Sequence, residues 1–80
     1  MKSVTLFTRA GCHLCDVALA ALEEVRRHRP FELSVVDLDE GAAAEKRAAY
    51  DLEVPVVELE GKKVFKYRVD EARLLRLLEG

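Results

Sequence analysis

Val4-Thr5-Leu6-Phe7-Thr8 is a β-branched and aromatic run interrupted by Ala10-Gly11, which predicts a short buried strand. Beyond it the apolar period becomes helical: Leu14, Val17, Ala18, Ala21, Leu22 and Val25 recur at three- and four-residue steps. Asp16 in the first turn and Arg26, Arg27 and Arg29 in the last complement the helix dipole, and Pro30 closes the segment. Phe31, Leu33 and Val35 then alternate with Glu32 and Ser34, and Val36 and Leu38 add apolar side chains on both faces. A second strand is expected there, more buried toward its end. Asp39 is placed to cap an Ala-rich helix over residues 41–50.

The helical pattern breaks at Glu53-Val54-Pro55. Val56–Leu59 and Lys63–Tyr67 then read as two strands joined by a tight Glu60-Gly61 turn. Asp70 caps a last helix whose stripe is Ala72, Leu75 and Leu78, with Leu74 and Leu77 beside it. The order is βαβαββα. Strand-helix-strand units favour parallel pairing, and the Gly-containing hairpin adds an antiparallel pair. The pattern therefore predicts an α/β fold, a four-stranded mixed sheet flanked by three helices, in one domain over residues 1–80.

Eighty residues, half of them apolar and 35% charged, leave no room for a second domain. A chain this short buries only about 60–65% of the surface it exposes when unfolded, so its core is near the lower limit for independent folding. The two cysteines do little to help. A disulfide between Cys12 and Cys15 closes a four-residue loop, worth roughly 2 kcal/mol by loop entropy. No apolar run approaches the ~20 residues of a membrane span, and no secretory leader pattern is present, so a cytoplasmic protein without membrane association is expected. In a reducing compartment, closely spaced thiols are more often catalytic or metal-binding than structural.

Charge is uneven. Residues 1–30 carry five basic and three acidic groups, residues 31–60 two and nine, and residues 61–80 six and three. The net charge of −2 gives no drive toward nucleic acid. Lys62, Lys63, Lys66 and Arg68 read as the charged guard of an edge strand rather than as a nucleic-acid patch. Asp37, Asp39 and Glu40 read as caps rather than as a cation site. Asn and Gln are absent, a bias shared by heat-adapted proteins and GC-rich genomes.

Cys12-His13-Leu14-Cys15 stands where the first strand gives way to the first helix. Unpaired backbone N–H groups and the positive dipole end favour a thiolate on Cys12. Cys15, one turn on along roughly the same face, is placed to attack a mixed disulfide and release the reduced substrate. Arg9 and His13 add positive or potentially positive charge that stabilises the thiolate. Zinc is the competing reading of a CxxC pair, but no second CxxC or later His pair completes a site, and His28 stands alone at the far end of the helix. A c-type haem link needs His after the second Cys, where Asp16 stands.

Phe7-Thr8-Arg9-Ala10-Gly11-Cys12-His13-Leu14-Cys15 at the strand-helix junction, followed by Val54-Pro55 before a hairpin, resembles a glutaredoxin of the thioredoxin superfamily. The resemblance spans essentially the whole chain and implies a thioredoxin/glutaredoxin-like fold. It further implies that Cys12 forms mixed disulfides, that Pro55 is cis beside the thiols, and that the Val54 backbone pairs with a bound peptide or glutathione. Arg9 falls where glutaredoxins commonly carry a Lys near the glutathione carboxylate. The sequence departs from the family at three places. Cys-Pro-Tyr-Cys is Cys-His-Leu-Cys here. Glu53 replaces the usual Thr before Val54-Pro55. Tyr67-Arg68-Val69-Asp70 replaces the Gly-Gly-x-Asp-Asp segment that grips glutathione, with only Asp70 as a remnant.

The sequence thus points to a monomeric dithiol-disulfide oxidoreductase with Cys12 and Cys15 as catalytic thiols and Val54, Pro55 and Asp70 as substrate-binding residues. No metal or cofactor beyond the dithiol is implied, and the departures weigh against glutathione as co-substrate. Substrates would be protein disulfides or low-molecular-weight thiols, with a reductase or another thiol as electron donor. The rival reading is a binding protein that carries a metal or iron-sulfur cluster between two chains, or a non-catalytic interaction module.

Overall fold

The computed structural model describes residues 1–80 and contains β1 (Ser3–Thr8), α1 (His13–His28), β2 (Glu32–Asp37), α2 (Ala44–Tyr50), β3 (Val56–Leu59), β4 (Lys62–Lys66) and α3 (Glu71–Glu79). The predicted βαβαββα order is present. The sheet runs β2-β1-β3-β4, with β1 parallel to β2 and antiparallel to β3, and β3 antiparallel to β4. β1 and β3 are the two interior strands, and β1 pairs on both sides. Because its side chains alternate faces, it feeds two cores. Val4 and Leu6 join Ala18, Leu22, Val25, Phe31, Val57, Phe65 and Leu74 under α1 and α3. Phe7 joins Leu38, Tyr50 and Val56 under α2.

The hairpin turn forms at Glu60-Gly61, both with positive φ (52° and 83°), a twist that matches the strands it joins. A register shift after Val57 sets Val57 opposite Phe65 but Glu58 opposite Lys63. The extra residue, Val64, can then pack on the same core as Phe65, while Lys63 stays on the α2 side with Glu58.

Expectations about all three helices are corrected. Residues 41–43 are not helical and Asp39 does not cap α2, whose N-cap is Ala43 without a side-chain bond. The Asp37 carboxylate takes the N–H groups of Asp39 and Glu40 (2.8 and 3.2 Å), and Gly41 N–H binds Asp37 C=O (2.7 Å), so the chain turns before it can coil. In α1 the buried stripe is Cys15, Ala18, Leu22 and Val25, whereas Leu14 and Val17 are 43% and 52% exposed. The apolar sector of this helix is wider than the sheet can cover, and the surplus row lies toward Tyr67 and Val69. Likewise, α3 buries Leu74 completely and leaves Ala72 exposed, so its stripe is centred one residue earlier than the pattern suggested.

Glu58 is the only charged residue in the core, 6% exposed. Its carboxylate accepts bonds from Tyr50 Oη (2.7 Å) and Lys46 Nζ (2.5 Å), both on α2, and so joins the short helix to the sheet. Burial, then Glu58, pushes the Tyr50 phenol above its ordinary range, and the bond to Glu58 raises Lys46. Tyr50 also packs on Phe7 with ring centroids 5.3 Å apart.

Leu22 is fully buried between α1 and the sheet. Leu22→Ala is expected to cost about 3 kcal/mol by lost burial plus cavity. That is a large share of the roughly 4–12 kcal/mol a chain this long has. Val17→Ala on the exposed row should change stability by less than about 0.5 kcal/mol. Urea unfolding of the two variants checks the assignment of buried and exposed rows: equal midpoints would contradict it.

Candidate active site

β1 delivers the chain to its C-terminal end at Thr8, and the loop 9–12 turns it into α1. Cys12 N–H donates to Arg9 C=O (3.2 Å), and Gly11 takes φ 74°, so the turn ends with Cys12 as the N-cap of α1. The usual capping residues are Ser, Thr, Asp and Asn; here a sulfur does the work, with Cys15 N–H donating to Cys12 Sγ at 3.1 Å. Cys12 is half-buried and Cys15 is 3% exposed, and the two form a disulfide across Cα atoms 5.2 Å apart. The sixteen-residue α1 directs its positive end at Cys12. The N–H bond and the dipole both stabilise a thiolate there once the pair is reduced.

Antiparallel pairing of β1 with β3 brings the second half of the site to the same end of the sheet. Phe7 faces Val56, and continuing that register sets Pro55 beside Thr8 and Val54 beside Arg9. The Val54-Pro55 bond is cis. Pro55 is buried, Val54 is half-buried, and the N–H and C=O of Val54 bind nothing within the chain. Pro55 C=O instead accepts from Tyr67 N–H (2.7 Å), which ties the segment to the end of β4.

The remaining expected residues lie around this centre with varied roles. His13 is the first residue of α1 and is exposed. With Leu14, Val17, Ala21, Tyr67 and Val69 it lines an open groove of about 390 Å³ that leads away from Cys12. Asp70 Oδ1 accepts from Arg73 N–H (3.1 Å) and caps α3, as the sequence suggested. Arg9 is on the loop before Cys12, but its donors are engaged elsewhere: Nε and Nη2 bind the two Asp39 oxygens (both 2.9 Å), while Nη1 and Nη2 bind Asp51 C=O (2.8 Å) and Oδ1 (2.6 Å). Two carboxylates therefore pair with its guanidinium.

Glu53, next to Val54, is paired with Lys63 (2.8 Å) and Lys66 (3.7 Å). Two of the edge-strand lysines thus hold a partner as well as guarding an edge. No three His, Cys, Asp or Glu side chains converge to hold a metal within the chain.

The sequence reading missed Asp51, the partners of Glu53 and the groove. The groove had a signal, since Leu14, Val17 and Ala21 form an i, i+3, i+7 row distinct from the Cys15-Ala18-Leu22-Val25 stripe. The ion pairs had none, because they join residues 10 to 42 positions apart.

The Lys63 bond holds the Glu53 carboxyl below its ordinary 4.5. A carboxyl depressed in the folded state binds fewer protons there than in the unfolded chain, so its stabilisation exists above pH 4.5 and is lost as pH falls through the folded value. Glu53→Gln is therefore expected to flatten the acid limb of stability against pH without changing its neutral-to-basic shape. Denaturant midpoints from pH 2 to 7 check this, and an unchanged acid limb would show the pair to be inactive.

Comparison with known proteins agrees with the geometry. The family described as Glutaredoxin-like domain (DUF836) matches residues 3–79. A "Glutaredoxin-like protein YDR286C homolog" of Dictyostelium discoideum is 31% identical over 81 residues, covering 96% of this chain and 75% of that protein. A structural genomics target from X. campestris is 34% identical, with a TM-score of 0.72 and 95% of each chain covered. Oxidised thioredoxin O2 of Arabidopsis thaliana superposes with a TM-score of 0.65 at 27% identity, over 99% of this chain and 73% of that one. With a thioredoxin-like sheet, a Cys-x-x-Cys pair at disulfide distance and a match along nearly its whole length, the chain belongs to the glutaredoxin-like domain family.

Proposed function

We propose that this protein is a dithiol-disulfide oxidoreductase. The observation that carries the reading is the asymmetry of the pair: a half-buried Cys12 at a helix N-cap, backed by a fully buried Cys15 one turn on. In the reduced protein the Cys12 thiolate attacks one sulfur of a substrate disulfide. A new S–S bond forms, the substrate S–S bond breaks, and the leaving sulfur departs with the electron pair and takes up a proton. Cys15 then loses its proton and attacks Cys12 Sγ, which expels the second substrate thiol and leaves the Cys12–Cys15 disulfide. Two electrons pass from protein to substrate, and a thiol or a reductase returns them.

The unpaired Val54 N–H and C=O support a role in aligning an extended substrate beside Cys12, with Pro55 fixing that segment. His13 adds positive charge next to the thiolate when protonated. Asp70 remains a candidate substrate contact through its second carboxylate oxygen. On this reading the dithiol is the sole redox group, no metal or organic cofactor is resident, and a monomer works in a reducing cytoplasm. Protein disulfides fit the apolar groove better than an anionic small thiol does, and the commitment of Arg9, Lys63 and Lys66 to carboxylates weighs in the same direction. The test is reduction of a peptide disulfide with dithiothreitol or glutathione as donor: turnover dependent on this protein is expected, and its absence with both donors would refute the proposal.

A further inference from the structure

Three consecutive residues that lead into Val54-Pro55 are held from two sides, by Arg9 before α1 and by side chains on β4 and just past its end. Asp51 receives two bonds from the Arg9 guanidinium, one at its main-chain oxygen and one at its carboxylate. Leu52 C=O accepts from Tyr67 Oη at 3.2 Å. Glu53 is bound by Lys63 and Lys66 of β4. These groups are mostly exposed, and isolated surface ion pairs contribute little to global stability. Their placement, converging on the one short segment that Arg9 joins to the loop before Cys12, calls for another explanation.

Arg9 differs from the other holders because it belongs to both halves of the site. Its carbonyl accepts the N–H of Cys12, and its side chain grips the strand of chain that ends in Pro55. The planar guanidinium is further fixed by a two-point bond to Asp39, on the loop after β2. We propose that Arg9 is a positioning residue, a clamp that sets the spacing between the Cys12 sulfur and the Val54 backbone through Asp51, and not a charge that stabilises the thiolate. This rests on the oxidoreductase reading, because the spacing matters only if a substrate bridges the two.

The geometry supports the clamp over the charge on two grounds. Every nitrogen of the guanidinium is engaged by an aspartate group, so its field at the sulfur is offset by two negative charges. The strong Asp39 bond also draws that carboxyl below its ordinary range and raises Arg9, as expected of a pair that stays ionised throughout the neutral range. A clamp of this kind acts on substrate alignment. It raises KM when broken and leaves the titration of Cys12 alone.

The experiment compares wild type with Arg9→Met, Arg9→Lys and Asp51→Asn in three readouts. These are KM and kcat for a peptide disulfide, the pH profile of Cys12 alkylation by iodoacetamide, and exchange of the Tyr67 amide, whose acceptor is Pro55 C=O. Arg9→Met should raise KM about tenfold with kcat changed less than about twofold, as expected for misaligned binding. Its alkylation profile should coincide with wild type, and the Tyr67 amide should exchange faster. Arg9→Lys keeps the charge but not the fork, and should rescue little. Asp51→Asn keeps the main-chain acceptor and should fall between; it also carries the test if Arg9→Met does not fold.

An alkylation profile moved to higher pH with KM unchanged would assign Arg9 to the thiolate and overturn the proposal. Unchanged KM, with or without faster Tyr67 exchange, would overturn it as well. Absence of reductase activity in wild type refutes the underlying function instead, and the amide exchange still reports whether Arg9 holds the segment.

Discussion

Cys12→Ser is expected to lower disulfide reductase activity by at least about a thousandfold, the scale of loss seen when an attacking nucleophile is removed. A serine hydroxyl at the α1 N-cap can accept the Cys15 N–H as the sulfur does, so the helix start survives. What it cannot do is ionise near neutral pH or form a disulfide. Stability should hardly change in reducing buffer, where the wild type also lacks the Cys12–Cys15 bond. Activity lost with the fold intact separates chemistry from structure. Stopped-flow reduction of a peptide disulfide, with urea unfolding of the same sample, measures both, and substantial residual turnover in a folded Cys12→Ser would eliminate Cys12 as the nucleophile.

Cys15→Ser should have an equally large but different effect: the first attack proceeds and the second cannot. The protein is then expected to accumulate as a mixed disulfide with its substrate, heavier by one substrate thiol less two hydrogens. Release falls to attack by external thiol, which lacks the advantage of a sulfur held one turn away; well-oriented intramolecular reactions gain orders of magnitude over such encounters, so slowing by about a hundredfold or more is expected. Cys15 is also buried beside Ala18 and Leu22 on the inner row of α1, so a small serine is the least disruptive replacement. Intact-mass analysis after mixing with a peptide disulfide checks the outcome. A stoichiometric adduct is predicted for Cys15→Ser and none for Cys12→Ser; the reverse pattern would exchange the roles of the two thiols.

The element order and the sheet were legible because β1, α1 and the β3–β4 hairpin carry their periods and turn residues plainly. Asp70 was legible as a cap for the same reason. Asp39 was not, since a carboxylate before an Ala-rich stretch looks like a cap until Arg9, thirty positions earlier, claims it. The helical period groups the exposed Leu14 and Val17 with the buried residues of α1, because periodicity shows an apolar sector without showing how wide a surface is available to cover it. Glu58 illustrates the opposite limit: a charged residue between Val57 and Leu59 reads as the solvent side of a strand, yet Tyr50 and Lys46 one turn apart on α2 make it a buried partner.

The candidate site divides in the same way. Cys12 and Cys15 are set by local signals, a strand, a glycine turn and a helix start, and needed no tertiary information. The rest of the candidate site is non-local: the β1–β3 register brings Val54 and Pro55 to the end of β1 that leads into Cys12, and Pro55 C=O ties them to Tyr67 past the end of β4. The partners of Arg9 were not legible either, since the carboxylates it binds come from two other loops.

The most direct measurement is a redox titration of the wild-type pair in defined thiol-disulfide buffers, followed by intact mass after alkylation. A working dithiol predicts a single two-electron transition between about −270 and −120 mV, the range spanned by thioredoxin-fold oxidoreductases. A pair that stays oxidised below about −300 mV would be a structural disulfide, and a pair that stays reduced throughout would not cycle at all; either result contradicts the proposed function.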